Sequence, residues 1–185
     1  MRTIFKIIKN WLPLAIATGG LCALVYLTAQ QSLRQGANDP QIQMAEDAAS
    51  NLNAGENVES IVPSAKVDIA NSLAPFLIVF DDSGKVVASS ATLHGSVPAY
   101  PSGVLDYARQ KGQVRVTWQP EKGVRMATVV LHYLNGFVLA GRSLREAEIR
   151  DTNMMQISGA AMLVIWVVTL IIVALGEWIG SKKAA

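Results

Sequence analysis

Two long stretches of the chain carry no charged residue, and they constrain the fold more than any other feature. Residues 11–29 (WLPLAIATGGLCALVYLTA) and residues 152–176 contain no Asp, Glu, Lys or Arg. About 20 helical residues rise about 30 Å, the thickness of a bilayer's hydrocarbon core. Because a backbone in lipid must satisfy its own hydrogen bonds, each stretch should be helical. We therefore predict transmembrane helices over residues 11–30 and 152–177.

The charges around the two stretches predict an orientation. By the positive-inside rule, residues 1–10 and 178–185 face the cytoplasm, and residues 31–151 lie outside it. The outer segment has eleven Lys and Arg against thirteen Asp and Glu, a net charge of −2. The sequence thus predicts a two-pass protein of the bacterial cytoplasmic (inner) membrane. Five basic residues flank the stretches on the cytoplasmic side: Arg2, Lys6, Lys9, Lys182 and Lys183.

A cleaved signal peptide is the alternative interpretation of the first stretch. Its apolar run of 19 residues exceeds the usual core of roughly 7–15 residues in signal peptides. Leu27-Thr28-Ala29 is also a poor match to a small-x-small cleavage site. An uncleaved membrane anchor is the better interpretation.

The outer segment changes from helical to strand patterns along its length. Asp39 and Pro40 are typical of a helix start, and Gly55 of a helix end. From residue 76 onward, short runs of β-forming residues alternate with turn residues, and Asn135-Gly136 favours a type I′ hairpin turn. This order predicts the α+β class: an N-terminal helix and an antiparallel sheet of about five strands, with its core in residues 40–143. The predicted elements are short helices over residues 67–73 and 102–111 (capped by Ser102), a loop over 91–101, and strands over 76–80, 85–90, 113–118, 124–133 and 137–141.

The chain resembles the extracytoplasmic PAS-like or Cache sensor domains of bacterial histidine kinases and chemoreceptors. The resemblance rests on QIQMAEDAASNL, on the FLIVFDDSGKVVASS hairpin, and on RVTWQPEKGVRMATVVL and NGFVLAGRSLREAE before the second stretch. It implies an outer domain that binds a small molecule or a protein and passes a shift through the second helix. About nine residues follow the second uncharged stretch, so we expect any output to pass through a separate protein.

Few residues indicate chemistry. We find no Gly-rich phosphate loop, no metal-ligand spacing and no Gly-x-Ser-x-Gly elbow. The single cysteine excludes an intramolecular disulfide, and the net charge of +2 gives no nucleic-acid signature. Asp81-Asp82-Ser83-Gly84 is turn chemistry rather than a cation site. We therefore expect no enzyme activity, no cofactor and no metal.

A ligand pocket between the sheet and its covering loops is the more specific hypothesis. Its candidates are Tyr100, Trp118, Arg125 and Arg142, with the arginines holding a carboxylate or phosphate and Trp118 forming an apolar wall. In the alternative interpretation, the arginines are solvated and Trp118 belongs to the core. His132 is a further polar candidate, but strand alternation places Arg125 and His132 on opposite faces, so one pocket should not use both.

Small residues recur every four positions in the first stretch, at Ala15, Gly19 and Ala23. Such a stripe permits close helix approach, either to the second helix of the same chain or to another chain, which includes a homodimer. Neither stretch contains an ionisable acid or base, which argues against a pump. Two functions remain open: a sensor-like protein acting on a membrane or signalling partner, and an assembly subunit whose outer domain is a docking module.

Overall fold

The computed structural model describes residues 2–36 and 39–183, and it divides the chain into two compact units. The helix unit comprises Met1–Leu33 and Ile149–Ala185, and the α+β unit comprises Arg34–Glu148. The helix unit is built from α1 (Arg2–Gly36) and from most of α5 (Arg145–Lys183). Both helices are long and apolar enough to cross a membrane. They extend beyond the stretches from which they were predicted.

The α+β unit confirms the predicted class. Five strands form one antiparallel sheet in the order β3-β2-β7-β6-β5, and α2 precedes them in the chain. Hairpins join β2 to β3, β5 to β6 and β6 to β7, so the sheet is assembled from local pairings. The elements are α2 (Asp39–Asn53), α3 (Val58–Ile61), β1 (Val67–Asp68), β2 (Phe76–Asp81), β3 (Val86–Ser89), β4 (Ala91–Thr92), α4 (Ser102–Lys111), β5 (Gln113–Glu121), β6 (Val124–Tyr133) and β7 (Gly136–Ser143).

Helix α2 packs against one face of the sheet, here called the α2 face. Its buried side chains are mostly small, with alanines at positions 45, 48 and 49. Small side chains allow the helix backbone to approach the sheet closely, and burial of the apolar surface stabilises the contact. The sheet contributes Leu77, Val79, Val129, Tyr133, Val138 and Ala140 to this layer.

The opposite face, here called the α4 face, carries the larger side chains. Helix α4 covers it with Leu105 and Ala108, and the segment before α4 adds Tyr100. Gly141 is required by this packing, because a Cβ atom there would lie 2.3 Å from the Phe76 ring. The buried sheet residues on this face are Phe76, Ile78, Phe80, Trp118, Val124, Met126, Val130, Phe137 and Leu139.

The predicted helix over residues 67–73 is wrong. Residues 67 and 68 form β1, which pairs in parallel with β4 inside the segment 91–101 that we predicted to be loop. The Val67 amide donates to the Ser90 carbonyl at 2.7 Å, and the Ile69 amide donates to the Thr92 carbonyl at 2.9 Å. These long-range bonds override the weak local helix pattern, because propensity over seven residues is a small preference.

Turn and cap positions also differ from the prediction. The β6–β7 turn is formed by Leu134 and Asn135, neither of which has the positive φ of a type I′ turn. Gly136 is instead the first residue of β7, where a Cβ atom would lie 2.1 Å from the Phe80 carbonyl oxygen. Helix α4 begins at the predicted Ser102, but its N-cap is Pro101.

Candidate functional site

The sheet register places the four candidate ligand residues on two opposite faces. Trp118 pairs with Met126 and so lies on the α4 face, where Tyr100 also packs. Arg142 pairs with Ala127, and Arg125 is two residues from Ala127 on the same strand. Side chains of directly paired residues share a face. The two arginines therefore lie on the α2 face, and one pocket cannot use all four residues.

Tyr100 and Trp118 contact each other in the α4-face core. Their ring centroids are 5.0 Å apart in an edge-to-face arrangement, and Phe80 lies 6.3 Å from Tyr100. The hydroxyl of the buried Thr128 donates to the Val116 carbonyl at 2.9 Å. Because Thr128 has one hydroxyl proton, the Tyr100 hydroxyl acts as donor in their 3.0 Å hydrogen bond.

Burial sets the protonation of Tyr100. Loss of solvent around the ring raises the pKa of the Tyr100 phenol, because burial disfavours the charged phenolate. The phenol is therefore neutral at physiological pH and is already satisfied by a partner within the chain.

The two arginines of the α2 face are bound to the first turns of α5. Arg125 forms an ion pair with Glu148. Arg142 contacts Glu146 at 3.3 Å through its terminal nitrogen, and its Nε donates to the Leu73 carbonyl at 3.3 Å. Each side chain of these ion pairs is between about two fifths and half exposed. Their guanidinium groups thus hold a helix of the same chain, where the sequence predicted an external anion.

A third arginine completes this region and was missed from the sequence. Arg145, the first residue of α5, donates to the carbonyls of Ala70 and Asn71. We call the set Arg125, Arg142, Arg145, Glu146 and Glu148 the α5 junction. Its only sequence signal is the mixed-charge run REAE at the start of a helix, which on its own is typical of a solvated surface.

His132 lies at the other end of the sheet, near the β2–β3 turn. Its ring packs against Phe137 at 5.0 Å, and its Nε2 is 3.7 Å from a carboxylate oxygen of Asp82. Arg109 stacks over the same Phe137 ring and donates to the Asp82 carbonyl at 2.6 Å. These contacts fasten α4 to the turn. As the alternation predicted, His132 and Arg125 lie on opposite faces.

In the helix unit, the stripe of small residues receives a tryptophan of the same chain. The Trp166 indole nitrogen donates to the Ala15 carbonyl at 3.1 Å, and a Cβ atom on Gly19 would lie 3.2 Å from the Trp166 ring. Trp11 contacts Trp166 edge to face at 6.2 Å. Ala23 is exposed. Two of the three stripe positions therefore serve packing between α1 and α5.

Polar contacts join the same two helices toward both ends. The Asn10 side-chain amide donates to Glu177 at 2.8 Å. The Gln30 amide donates to Asp151 at 3.2 Å, and the Tyr26 hydroxyl lies 3.5 Å from the same carboxylate. Such hydrogen bonds fix the rotation and register of a helix pair that apolar contacts alone leave adjustable.

No group of three His, Cys, Asp or Glu side chains is placed to hold a metal ion within the described ranges, 2–36 and 39–183. Comparisons of the chain with protein-family models, with curated proteins and with solved structures found no match.

Proposed function

We propose that the chain is a two-span membrane protein with an extracytoplasmic sensor-like domain of the PAS or Cache type. The domain is the α+β unit, and it binds a small ligand or a protein and acts on a separate membrane or signalling partner. Support for the membrane assignment comes from large apolar side chains that face outward along both helices, among them Leu21, Leu24, Ile171 and Ile172. Water would disfavour so much exposed apolar surface, whereas lipid accommodates it.

The observation that carries the proposal is the α5 junction. Three arginines from the sheet and from the start of α5 fix the first turns of this helix to the α+β unit. The same helix continues to Lys183 without a Gly or Pro in its first 14 residues. A helix is stiff over this length, so a displacement of its first turn is passed on along its axis. A sensor needs such a helix to carry movement of its outer domain toward the membrane.

The sheet and its covers support the PAS-like part of the proposal. A five-stranded antiparallel sheet is covered by α2 on one face and by α4 with its preceding segment on the other. The segment that carries Tyr100 covers a buried aromatic layer, which is where the resemblance implies that a ligand binds.

A docking subunit is the second candidate, and a specific observation favours it. The polar groups of Tyr100, Arg125 and Arg142 are all engaged by partners within the chain. A domain that only presents a surface to another protein can have such a satisfied interior, whereas a ligand sensor must exchange one of these contacts for a contact to ligand.

A thermal-unfolding screen of the full chain in lipid nanodiscs separates the two candidates. A metabolite at 100 times its dissociation constant stabilises the folded state by about 2.7 kcal/mol, which is a readily measured rise in melting temperature. For a sensor of small ligands we expect a hit that Trp118→Phe or Tyr100→Phe weakens. Arg115→Ala, a change at an exposed β5 arginine, is the matched control and should leave the hit unchanged.

Photo-crosslinking in native membranes covers the case in which the input or output is a protein. A photoreactive residue at Val87 or Leu134, both exposed, should capture an extracytoplasmic partner, and one at Ile172 should capture a membrane partner. A chain that binds no metabolite and gives adducts only from the α+β unit is a docking subunit. A chain that gives neither hits nor adducts contradicts both candidates.

A further inference from the structure

A short segment of the α+β unit connects the α4 face to the α5 junction. This segment, residues 66–74, is here called the strap. At its beginning it is fixed to β3, β4 and the residue between them. The Lys66 ammonium donates to the Ser89 carbonyl at 2.6 Å, the Val67 amide donates to Ser90, and the Ile69 amide donates to Thr92.

The middle of the strap is anchored in the core. Ile69 is 1% exposed and belongs to the α4-face cluster that contains Trp118 and Phe80, against which Tyr100 packs. We expect a rearrangement of that layer to move the Ile69 side chain or to leave a void in the shared core. A void costs free energy in a close-packed interior, and a shift of the strap backbone reduces that cost.

Asp68 makes the next part of the strap a rigid turn. Its carboxylate accepts hydrogen bonds from the Ala70 amide at 3.1 Å and from the Asn71 side chain at 2.8 Å. Its carbonyl accepts the amides of Asn71 and Ser72 at 3.1 and 2.7 Å. This pattern is an Asx turn, and it fixes the backbone around the Ala70 and Asn71 carbonyl groups.

Those carbonyls are the ones that the α5 junction uses. Ala70 and Asn71 accept from Arg145, and Leu73 accepts from Arg142. Hydrogen bonds from a charged donor are stronger than neutral ones, typically by a factor of about two. β1 itself is two residues long and pairs with a strand of two residues, so strand pairing alone contributes little to the position of the strap.

We propose that the strap is a coupling element that links the position of β4 and of the aromatic layer to the first turn of α5, with Arg145 as the joint. Movement at Ile69 or β4 displaces the Asp68 turn, and the turn displaces the Arg145 guanidinium and the helix that carries it. The coupling is reciprocal, because it is a free energy shared between two sites. Its use in signalling rests on the proposed function, but the coupling itself does not.

Amide hydrogen exchange of the full chain in nanodiscs tests the coupling. Arg145→Gln removes the charged joint and should raise exchange in residues 67–72 and 91–93 by roughly tenfold, because the strap loses charge-assisted hydrogen bonds. Asp68→Asn weakens the turn and should raise exchange in residues 147–150, the far side of the joint. In the double variant, the fold increase in exchange should be smaller than the product of the fold increases in the two single variants.

Arg115→Gln is the matched control. This exposed β5 arginine lies outside both the strap and the α5 junction, so exchange in residues 67–72 and 147–150 should stay at the native level. If Arg145→Gln does not fold, Arg145→Lys keeps the charge but loses the two-carbonyl fork and should give the same pattern more weakly.

The strap is not a coupling element if Arg145→Gln leaves exchange in residues 67–72 at the native level, or if Asp68→Asn has no effect beyond the strap. Neither result depends on a ligand or a partner. A failure of the coupling is therefore distinct from a failure of the proposed function, which the ligand screen and the crosslinks report.

Discussion

The two units of the chain place the same kinds of apolar side chain in opposite positions. In the α+β unit, Leu77, Val79 and Leu139 are buried between the sheet and its covering helices. In the helix unit, Leu21 and Ile172 point away from the helix pair and are exposed. The α+β unit thus has an apolar interior, and the helix unit has an apolar exterior.

The difference indicates which solvent each unit requires. Burial inside the α+β unit is driven by water, because it removes apolar surface from water. In the proposed bilayer the helix unit would gain little from that effect, and its specific contacts include the Trp11–Trp166 pair and the hydrogen bonds toward its ends. Helix pairs in lipid are held together in this way, by close packing and polar contacts.

The largest effect should come from one substitution made in both units. Leu139→Ala removes a side chain that is 0% exposed and should lower the free energy of unfolding by about 2–5 kcal/mol, since the cavity adds to the lost burial. Leu21→Ala removes a side chain that is 67% exposed, and it should leave the unfolding of the α+β unit unchanged. Urea denaturation of the full chain in nanodiscs, followed by pulse proteolysis, measures both. Equal losses of unfolding free energy in Leu139→Ala and Leu21→Ala would contradict the proposed difference between the two units.

Two neighbouring glycines sharpen the account of the helix unit. Gly19→Leu places a side chain against Trp166, 3.2 Å from the position of its Cβ atom, and should destabilise the helix pair by about 1–3 kcal/mol. Gly20→Leu is the control, because nothing lies within 4 Å of that Cβ position. Disulfide crosslinking between cysteines placed at positions 10 and 177 reports association of α1 with α5. Gly19→Leu should reduce the yield of crosslinked chain, and Gly20→Leu should not. Equal yields would show that Trp166 does not seat on Gly19.

Tyr100→Phe tests the α4 face with a smaller change. It deletes the hydroxyl that bonds to Thr128 and should lower the free energy of unfolding by about 1 kcal/mol. Tyr107→Phe, at an exposed ring, should leave the free energy of unfolding unchanged. Thermal unfolding of each variant measures the difference. A loss equal to that of Tyr107→Phe would show that the hydroxyl is solvated.

The same variant has a pH dependence of defined sign. Because burial raises the pKa of Tyr100 in the folded state, its contribution to stability is fully present below about pH 10 and is lost as pH rises through the folded pKa. Tyr100→Phe should therefore flatten the decline of stability at alkaline pH. Part of the decline should remain, because burial also raises the pKa of Tyr133.

The smallest expected effect concerns an exposed contact, His94 with Glu121, at 2.8 Å. The hydrogen bond that the protonated His94 ring donates to Glu121, together with the negative charge of that carboxylate, raises the pKa of His94 above the usual 6.5. NMR titration of the ring should show this, and Glu121→Gln should lower the pKa toward 6.5, whereas Glu56→Gln should not. Protonated His94 favours the folded state below pH 6.5, and that contribution is lost as pH rises through the folded pKa. An unchanged titration in Glu121→Gln would exclude the pair.

Local patterns were enough to predict most of the architecture. The strands around residues 76–80, 113–118 and 124–133 alternate or run apolar in ways that hydrophobic periodicity identifies, and helix α4 occupies its predicted range. The fold class followed from the order of these elements, because consecutive strands joined by short turns pair with one another.

Long-range contacts could not be predicted in the same way. The β1–β4 pair consists of two residues on each side, and only the bonds across the chain define it. Arg145 has no local pattern that separates it from a solvated helix residue, since its acceptors lie more than 70 positions away in the sequence. The candidate site was divided for the same reason: residue types suggested a pocket, but the register between β6 and β7 decides which residues share a face.

Cysteine labelling in spheroplasts tests the central claim, that the helices span a membrane and the α+β unit lies outside the cytoplasm. Cys22→Ala removes the one native thiol, and single cysteines are then placed at the exposed Lys122 or at Ser181 of α5. A membrane-impermeant maleimide should modify Lys122→Cys in intact spheroplasts and Ser181→Cys only after lysis. Modification of Ser181→Cys in intact spheroplasts, or recovery of the chain in the soluble fraction, would contradict the account.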